Sequence, residues 1–246
     1  MHLFTIEGNI GAGKSTLINH LRHIKCIGEL PVVFLPEPVN IWEQVVDEEG
    51  RNMLQLFYSD QVKYSFAFQM MAFISRYCLL EDAIKANPGA VIVTERSLFT
   101  DYYVFASMLF ETGCMSSVEH AIYKKWFDRF NRFRLSGIIY LKSDPAVALA
   151  RCVSRNREGE SVDLAYLTLC DQKHEWIDDD EAPLLQLDAN QPINDDLIED
   201  WVDTICLFMT EETVQPRDYS FIKAACLLLP LLFYCHAVFY NRVGGN

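Results

Sequence analysis

Residues 8–15 read GNIGAGKS and complete the pattern G-x-x-x-x-G-K-[ST], formed by Gly8, Asn9, Ile10, Gly11, Ala12, Gly13, Lys14 and Ser15, with Thr16 next. The glycines let consecutive backbone N–H groups turn toward a polyphosphate, which a Cβ would obstruct. Lys14 is placed to bind the β- and γ-phosphates, and the Ser15 hydroxyl to ligate Mg²⁺. An apolar run precedes the loop and a helical pattern follows it, as this motif requires. We therefore expect residues 8–16 to bind ATP, with Mg²⁺ as its cation.

The rest of the chain alternates short apolar runs with helical stretches. Runs rich in Val, Ile and Leu, bounded by Pro, Gly or charged residues, are typical of buried parallel strands; they lie at 2–6, 32–35, 90–94, 137–141 and 184–187. Further helical stretches lie at 65–85, 101–111, 117–131, 145–156, 164–178 and 194–209. This alternation predicts an α/β fold, a five-stranded parallel sheet with helices on both faces.

Composition restricts the choice of partners and compartment. The chain has 246 residues and a net charge of −13, so it lacks the basic excess of a nucleic-acid-binding protein. Its eight cysteines include no C-x-x-C pair, so we expect reduced thiols and an intracellular, cytoplasmic protein. The phosphate loop begins at residue 8, which leaves no room for a signal peptide before it.

The C-terminal part differs from the rest. Residues 1–210 are predicted to form the main domain and residues 211–246 an extension, in which 221–240 read FIKAACLLLPLLFYCHAVFY. The apolar length reaches the lower limit for a bilayer span, so one interpretation is a membrane anchor. The other is a tail helix packed on the protein or across a dimer contact.

Charged residues follow two of the predicted strands. Glu95 and Arg96 end the run AVIVTERS, and Glu37 lies between prolines in LPEP. Carboxyl ends of parallel strands line the crevice where ligands bind. There, Glu95 could hold the water shell of a metal ion, Arg96 could offset phosphoryl charge, and Glu37 could accept a hydroxyl proton. The alternatives are a structural Glu95–Arg96 salt bridge and a rigid turn at Glu37.

An arginine cluster follows the fourth predicted strand. Arg151 and Arg155 are one helical turn apart and share a face, and Arg157 follows closely. In a chain with a phosphate loop, such a cluster favours a lid over the phosphates. The alternative is a solvated basic helix end.

Several segments together resemble the deoxycytidine/deoxyguanosine kinase family in order and spacing: GNIGAGKST, EPVNIW, NMLQLFYSDQVKYSFAFQ, VTERSLFTDYYVFAS and RCVSRNREGE…LAYL. The resemblance covers about residues 3–208 and implies a P-loop kinase fold with an arginine-bearing lid. It also implies transfer of the ATP γ-phosphoryl group to the 5′-hydroxyl of a deoxynucleoside, by an enzyme that is commonly a homodimer.

The resemblance implies roles for individual residues. On the phosphate side, it implies a base at Glu37, a neighbouring Arg96, a metal-side Glu95, and phosphate contacts from Lys14, Arg151 and Arg155. On the nucleoside side, it implies base-pocket walls at Trp42, Phe68 and Phe105, an amide facing the Watson–Crick edge at Gln69, and contacts with the 3′-hydroxyl from Tyr58 and Glu160.

Arg76 and Asp101 bear on substrate choice. Arg76 lies seven residues after Gln69, so both point to one side of a helix. An arginine there, paired with an aspartate after ERS, resembles members that accept deoxycytidine or purine deoxynucleosides; thymidine-accepting members tend to carry smaller, uncharged residues. We therefore expect those substrates to be favoured over thymidine. The alternative is a purely structural Arg76–Asp101 pair.

Two other functions would use the same loop: a nucleoside monophosphate kinase, such as a thymidylate kinase, and a non-catalytic nucleotide switch. A monophosphate acceptor calls for a cationic side chain at the second-strand corner, where the carboxylate of Glu37 would repel it. A switch would not require Tyr58, Gln69 and Glu37 together. The sequence therefore favours a kinase with a neutral hydroxyl acceptor.

Overall fold

The computed structural model describes residues 1–157 and 159–214. Within these residues, no helix is both long and apolar enough to cross a membrane. Residues Met1–Glu212 form one compact unit. The apolar segment at 221–240 lies outside the described residues, so the division at residue 210 and the interpretations of the tail stay predictions.

The six strands of the sheet are β1 (His2–Gly8), β2 (Cys26–Ile27), β3 (Leu30–Leu35), β4 (Val91–Glu95), β5 (Gly137–Lys142) and β6 (Leu184–Asp188). Their order is β2-β3-β4-β1-β5-β6, and all neighbours are parallel except β2 and β3. The predicted five-stranded parallel sheet is therefore confirmed, with one correction. The two-residue β2 adds an antiparallel edge through a tight turn at Gly28, whose φ is 58°. Two residues are too few to give a strand pattern.

The helices are α1 (Lys14–Leu21), α2 (Val39–Trp42), α3 (Met53–Ser59), α4 (Gln61–Ala86), α5 (Leu98–Thr100), α6 (Ser107–Glu111), α7 (Ser117–Phe130), α8 (Pro145–Arg155), α9 (Leu164–Lys173), α10 (Trp176–Asp179) and α11 (Asp195–Val214). The helix predicted at 101–111 is a π-helical turn, Asp101–Ala106, followed by α6. The helix predicted at 164–178 is divided into α9 and α10. The short helices α2, α3 and α5 were not predicted from the sequence.

Side chains along each strand point alternately to the two faces of the sheet, and this divides the core into two layers. On β1, Leu3 packs with α4 and α7 on one face, and Phe4 packs with α1 and α11 on the other. On β4, Ile92 and Val93 divide in the same way. Because successive side chains of a strand point to opposite faces, both faces of a buried sheet must be apolar. The expected helices on both faces are present.

Candidate active site

A cavity of about 900 Å³ opens where β1, β3 and β4 end. Most predicted site residues line it: Ile10, Gly11, Gly13, Lys14, Ser15, Thr16, Glu37, Trp42, Phe68, Gln69, Glu95, Arg96, Asp101, Phe105, Arg151, Arg155 and Glu160. Those that do not line it are Gly8, Asn9, Ala12, Tyr58 and Arg76. Residues separated by more than a hundred positions thus meet in one crevice, as expected at the carboxyl edge of a parallel sheet.

The phosphate loop contacts β5 at Gly8 and α9 at Asn9. Gly8 has a φ of 146°, and a Cβ there would lie 2.7 Å from the Leu141 carbonyl oxygen, so only glycine fits. The Asn9 side chain donates a 2.8 Å hydrogen bond to the carbonyl of Leu167 in α9. Gly8 and Asn9 therefore shape the loop without lining the cavity.

Lys14 is buried at the start of α1. Its Nζ donates hydrogen bonds to the carbonyl oxygens of Asn9 at 2.7 Å and Gly8 at 3.0 Å. Burial, together with the positive charge of Arg96, lowers the pKa of Lys14 to about 7, although nearby carboxylates oppose the shift. Near pH 7, Lys14 is therefore present in both its ammonium and its neutral amine form, and the charges around it shift the balance between the two.

The Ser15 hydroxyl and the Glu95 carboxylate lie together although 80 positions separate them. Ser15 Oγ donates a 2.6 Å hydrogen bond to Glu95 Oε1, and the Glu37 backbone N–H donates to Glu95 Oε2 at 3.4 Å. A hydroxyl and a carboxylate are hard oxygen donors of the kind Mg²⁺ prefers. The pair therefore fits a divalent cation at this position.

Arg76 is the centre of an ion-pair network behind the crevice. Its Nε donates to Asp101 Oδ2 at 2.8 Å and its Nη2 to Glu37 Oε1 at 3.1 Å. Its Nη1 donates to the Glu95 backbone carbonyl at 2.5 Å. All three nitrogens of this buried guanidinium have acceptors, so Arg76 joins the ends of β3 and β4 to the π-helical turn.

Glu37 lies between two arginines. Its Oε1 is 3.5 Å from Arg96 Nε, in addition to the contact with Arg76. Burial alone would raise the pKa of Glu37, but the charges of Arg96, Arg76 and Lys14 outweigh it and hold the pKa below its ordinary value. The carboxylate is therefore ionised at neutral pH.

Arg96 follows β4 in an unusual backbone conformation. Its φ is 62°, a left-handed value that is costly for a non-glycine residue and is found mostly at functional sites. This turn places its guanidinium carbon 4.8 Å from the ring centre of Phe105. Its Nη1 is buried and has no hydrogen-bond partner among the described residues, so it can serve an anionic ligand.

Aromatic rings and one amide form the other half of the crevice. Trp42 and Phe68 meet edge to face with centroids 5.3 Å apart, and Trp42 Nε1 donates a 2.9 Å hydrogen bond to Ser75. Gln69 is buried, and its Oε1 has no hydrogen-bond partner among the described residues. Flat apolar walls with one unpaired amide oxygen suit a planar, polar-edged ligand such as a nucleobase.

The predicted lid follows α8. Arg151 donates a 2.8 Å hydrogen bond to the Gln191 carbonyl, and Arg155 pairs with Glu160. Burial raises the pKa of Tyr58, and the negative charge of Glu160 raises it further. The contacts of Tyr58 and Glu160 with the 3′-hydroxyl stay predictions.

Arg157, of the predicted arginine cluster, also lines the cavity. Several other residues of the cavity wall have no role predicted from the sequence: Pro36, Val39, Leu54, Ala72, Ser154, Tyr166 and Ile193. Ala72 follows Gln69 by three residues in α4, so helical spacing could have found it. Ile193 comes from the loop after β6 and approaches Gly13, where a Cβ would lie 2.6 Å from its Cδ1. No local signal marks such a residue.

Three features together define a P-loop phosphotransferase. They are a parallel sheet with helices on both faces, a glycine-rich loop with Lys14 and Ser15, and a carboxylate that faces this loop. The family model for deoxynucleoside kinases matches residues 4–208. Human deoxycytidine kinase is 35% identical over 224 residues, covering 78% of this chain and 85% of the human one. Chicken deoxycytidine kinase 2 is 36% identical over 241 residues, covering 84% and 89%, and a probable deoxycytidine kinase of Fowlpox virus is 35% identical over 202 residues, covering 78% and 80%.

The chain belongs to the deoxynucleoside kinase family. It is an ATP-dependent phosphotransferase that acts on a nucleoside hydroxyl, and ATP as co-substrate implies a divalent cation. The family and the class of enzyme expected from the sequence are therefore confirmed.

Proposed function

We propose that the enzyme phosphorylates the 5′-hydroxyl of deoxycytidine or a purine deoxynucleoside in preference to thymidine. The observation that carries this proposal is the Arg76–Asp101 pair, 2.8 Å apart, in a crevice that Asp101 and Gln69 both line. An ionised Asp101 carboxylate only accepts hydrogen bonds, and Gln69 Oε1 has no hydrogen-bond partner among the described residues. Such acceptors select for a hydrogen-bond donor on the base.

Cytosine, adenine and guanine each carry an exocyclic amino group that can donate to these acceptors. Thymine carries none and has a carbonyl where cytosine has its amino group, so that carbonyl would lie unpaired beside the Asp101 carboxylate. A site that leaves a buried polar group unpaired discriminates strongly against that ligand.

Glu37 is the proposed general base. It is ionised at neutral pH and only 21% exposed, and it lies between the phosphate loop and the aromatic walls. In our proposal it accepts the 5′-hydroxyl proton while the hydroxyl oxygen forms a bond to the γ-phosphorus and the bond to ADP breaks. Arg76 orients this carboxylate through the 3.1 Å contact.

The charge of the transferred group would be offset by Arg96, whose Nη1 is unpaired among the described residues, and by Lys14. Arg151 and Arg155 would contribute from the lid. Mg²⁺ held near Ser15 and Glu95 would supply further positive charge to the phosphates.

The test is phosphoryl transfer from Mg·ATP by the full chain to each of the four deoxynucleosides. We expect a kcat/KM at least tenfold higher for deoxycytidine or a purine deoxynucleoside than for thymidine. Glu37→Gln should lower kcat by about 10²-fold or more, and ATP binding should be retained.

Preference for thymidine would contradict the specificity proposal, and full activity of Glu37→Gln would contradict the base assignment. Transfer to nucleoside monophosphates but to no nucleoside would favour a monophosphate kinase. ATP binding without any transfer would favour a switch.

A further inference from the structure

The lid lies directly against α3. After α8, the chain turns through two left-handed residues, Asn156 with a φ of 46° and Gly159 with a φ of 76°. A Cβ at Gly159 would overlap the Cγ of Gln55 and lie 3.2 Å from its Cα. Backbone and side chain therefore meet here at a separation that only glycine allows.

Gln55 is held in place by the first turn of its own helix. The Asn52 backbone N–H donates to Gln55 Oε1 at 2.8 Å, and the Gln55 N–H donates to Asn52 Oδ1 at 2.9 Å. This reciprocal capping box fixes both ends of the Gln55 side chain. The surface that Gly159 contacts is therefore held in place by hydrogen bonds within α3.

The residue after Gly159 belongs to the site. The Glu160 side chain is 7% exposed and pairs with Arg155, and both line the cavity. Burial, and then the charge of Glu160, raise the pKa of Tyr58, one turn after Gln55 on α3. Helix α3 thus contacts the lid through Gln55, which packs against Gly159.

We infer that Gln55 is a positioning residue for phosphoryl transfer: packed against Gly159, it seats the lid so that Glu160 and Arg155 face the crevice. Gln55 does not line the cavity and acts only through the lid. The inference rests on the proposed function, in which Arg155 offsets phosphoryl charge. Displacement of such groups by about 1 Å is enough to lower the rate strongly.

Gly159→Ala is the first test, with Gly89→Ala as its matched control. Both glycines have a positive φ, 76° and 83°, but a Cβ at Gly89 would meet no atom within 4 Å. We expect Gly159→Ala to lower kcat about tenfold or more with both substrates saturating. Gly89→Ala should keep the kcat of the unaltered enzyme, and the two variants should have similar Tm values.

A second pair of variants keeps the inference testable if Gly159→Ala does not fold. Gln55→Ala removes the hydrogen bond from the Asn52 N–H to Gln55 Oε1 together with the side chain that packs against Gly159. Asn52→Ala removes the other hydrogen bond of the capping box, from the Gln55 N–H to Asn52 Oδ1, and leaves the Gln55 Cγ against Gly159. We expect kcat per folded enzyme to fall about tenfold in Gln55→Ala and to stay near the unaltered value in Asn52→Ala.

Equal kcat in the two members of each pair would overturn the inference. Because the unaltered chain is assayed alongside, its failure to transfer phosphate would overturn the proposed function, and this inference with it. Transfer by the unaltered chain with no loss in Gly159→Ala or Gln55→Ala would overturn the inference alone.

Discussion

At the scale of single residues, we expect the charge of Lys14 to determine how ATP binding depends on pH. Its pKa is lowered to about 7 because burial and Arg96 disfavour the ammonium form more than Glu95, Glu37 and Glu7 favour it. Below pH 7 the ammonium ion is present in the free enzyme, and above pH 7 the amine is mostly neutral. The phosphates of ATP bring negative charge that favours the ammonium form again.

ATP binding should therefore take up a proton above pH 7. By isothermal titration calorimetry at pH 8 in buffers of different ionisation enthalpy, we expect uptake of close to one proton per site. The Kd for ATP should rise toward tenfold per pH unit above pH 7, since one pKa unit corresponds to about 1.4 kcal/mol. Lys14→Arg, which stays charged, is the control and should abolish this uptake. Equal uptake by both proteins would contradict the assignment to Lys14.

At the scale of secondary-structure elements, the π-helical turn Asp101–Ala106 brings Asp101 and Phe105 to the cavity. Thr100, just before this turn, donates a 2.5 Å hydrogen bond from its Oγ1 to the Glu7 carboxylate. Ser107, just after it, donates a 2.9 Å hydrogen bond from its Oγ to the Tyr102 carbonyl. π-helical turns are rare and cluster at functional sites. The substrate pocket thus depends on a local departure from α-helical geometry.

Ser107→Ala should weaken nucleoside binding by about 3- to 10-fold, the equivalent of one hydrogen bond, with little change in the Kd for ATP. Thr112→Val is the matched control, because Thr112 Oγ1 donates a 2.9 Å hydrogen bond of the same kind, to the Met108 carbonyl, outside the π-helical turn. Nucleoside titrations of both variants check this. Equal weakening in the two would show that the effect is general destabilisation.

At the scale of the whole molecule, α7 presents an apolar stripe to solvent. Val118, Ile122 and Trp126 follow one another at a spacing of four and are 68%, 41% and 43% exposed. Side chains at this spacing share one helix face. Such a stripe agrees with the homodimer that the sequence resemblance implies, which stays a prediction.

Sedimentation equilibrium of the full chain should give a dimer at micromolar concentration. Ile122→Glu should raise the Kd of the dimer at least tenfold, because a charge would be buried in the contact. Leu207→Glu on α11 is the control, since Leu207 is also exposed, at 62%. A monomeric unaltered chain would show the homodimer prediction to be wrong.

The fold was predictable to a large extent because its signals are local. The loop at 8–16, the five parallel strands and most long helices follow from patterns within about ten residues of each other. The errors occur at short or interrupted elements: β2, α2, α3, α5, the π-helical turn inside the stretch 101–111, and the break between α9 and α10 inside 164–178. Helix α4 begins at Gln61, earlier than predicted, because Asp60 caps it by accepting a hydrogen bond from the Lys63 N–H.

Of the site, the sequence by itself determined the phosphate loop and the charged residues at strand ends. Their place in the site is predictable because the carboxyl ends of parallel strands all lie at one edge of the sheet. Only the tertiary structure decided that Arg76 contacts Glu37, Glu95 and Asp101 at once, that Ser15 meets Glu95, and that the lid rests on Gln55. Such contacts join elements far apart in the chain, and their distances depend on how helices pack on the sheet, which no local pattern specifies.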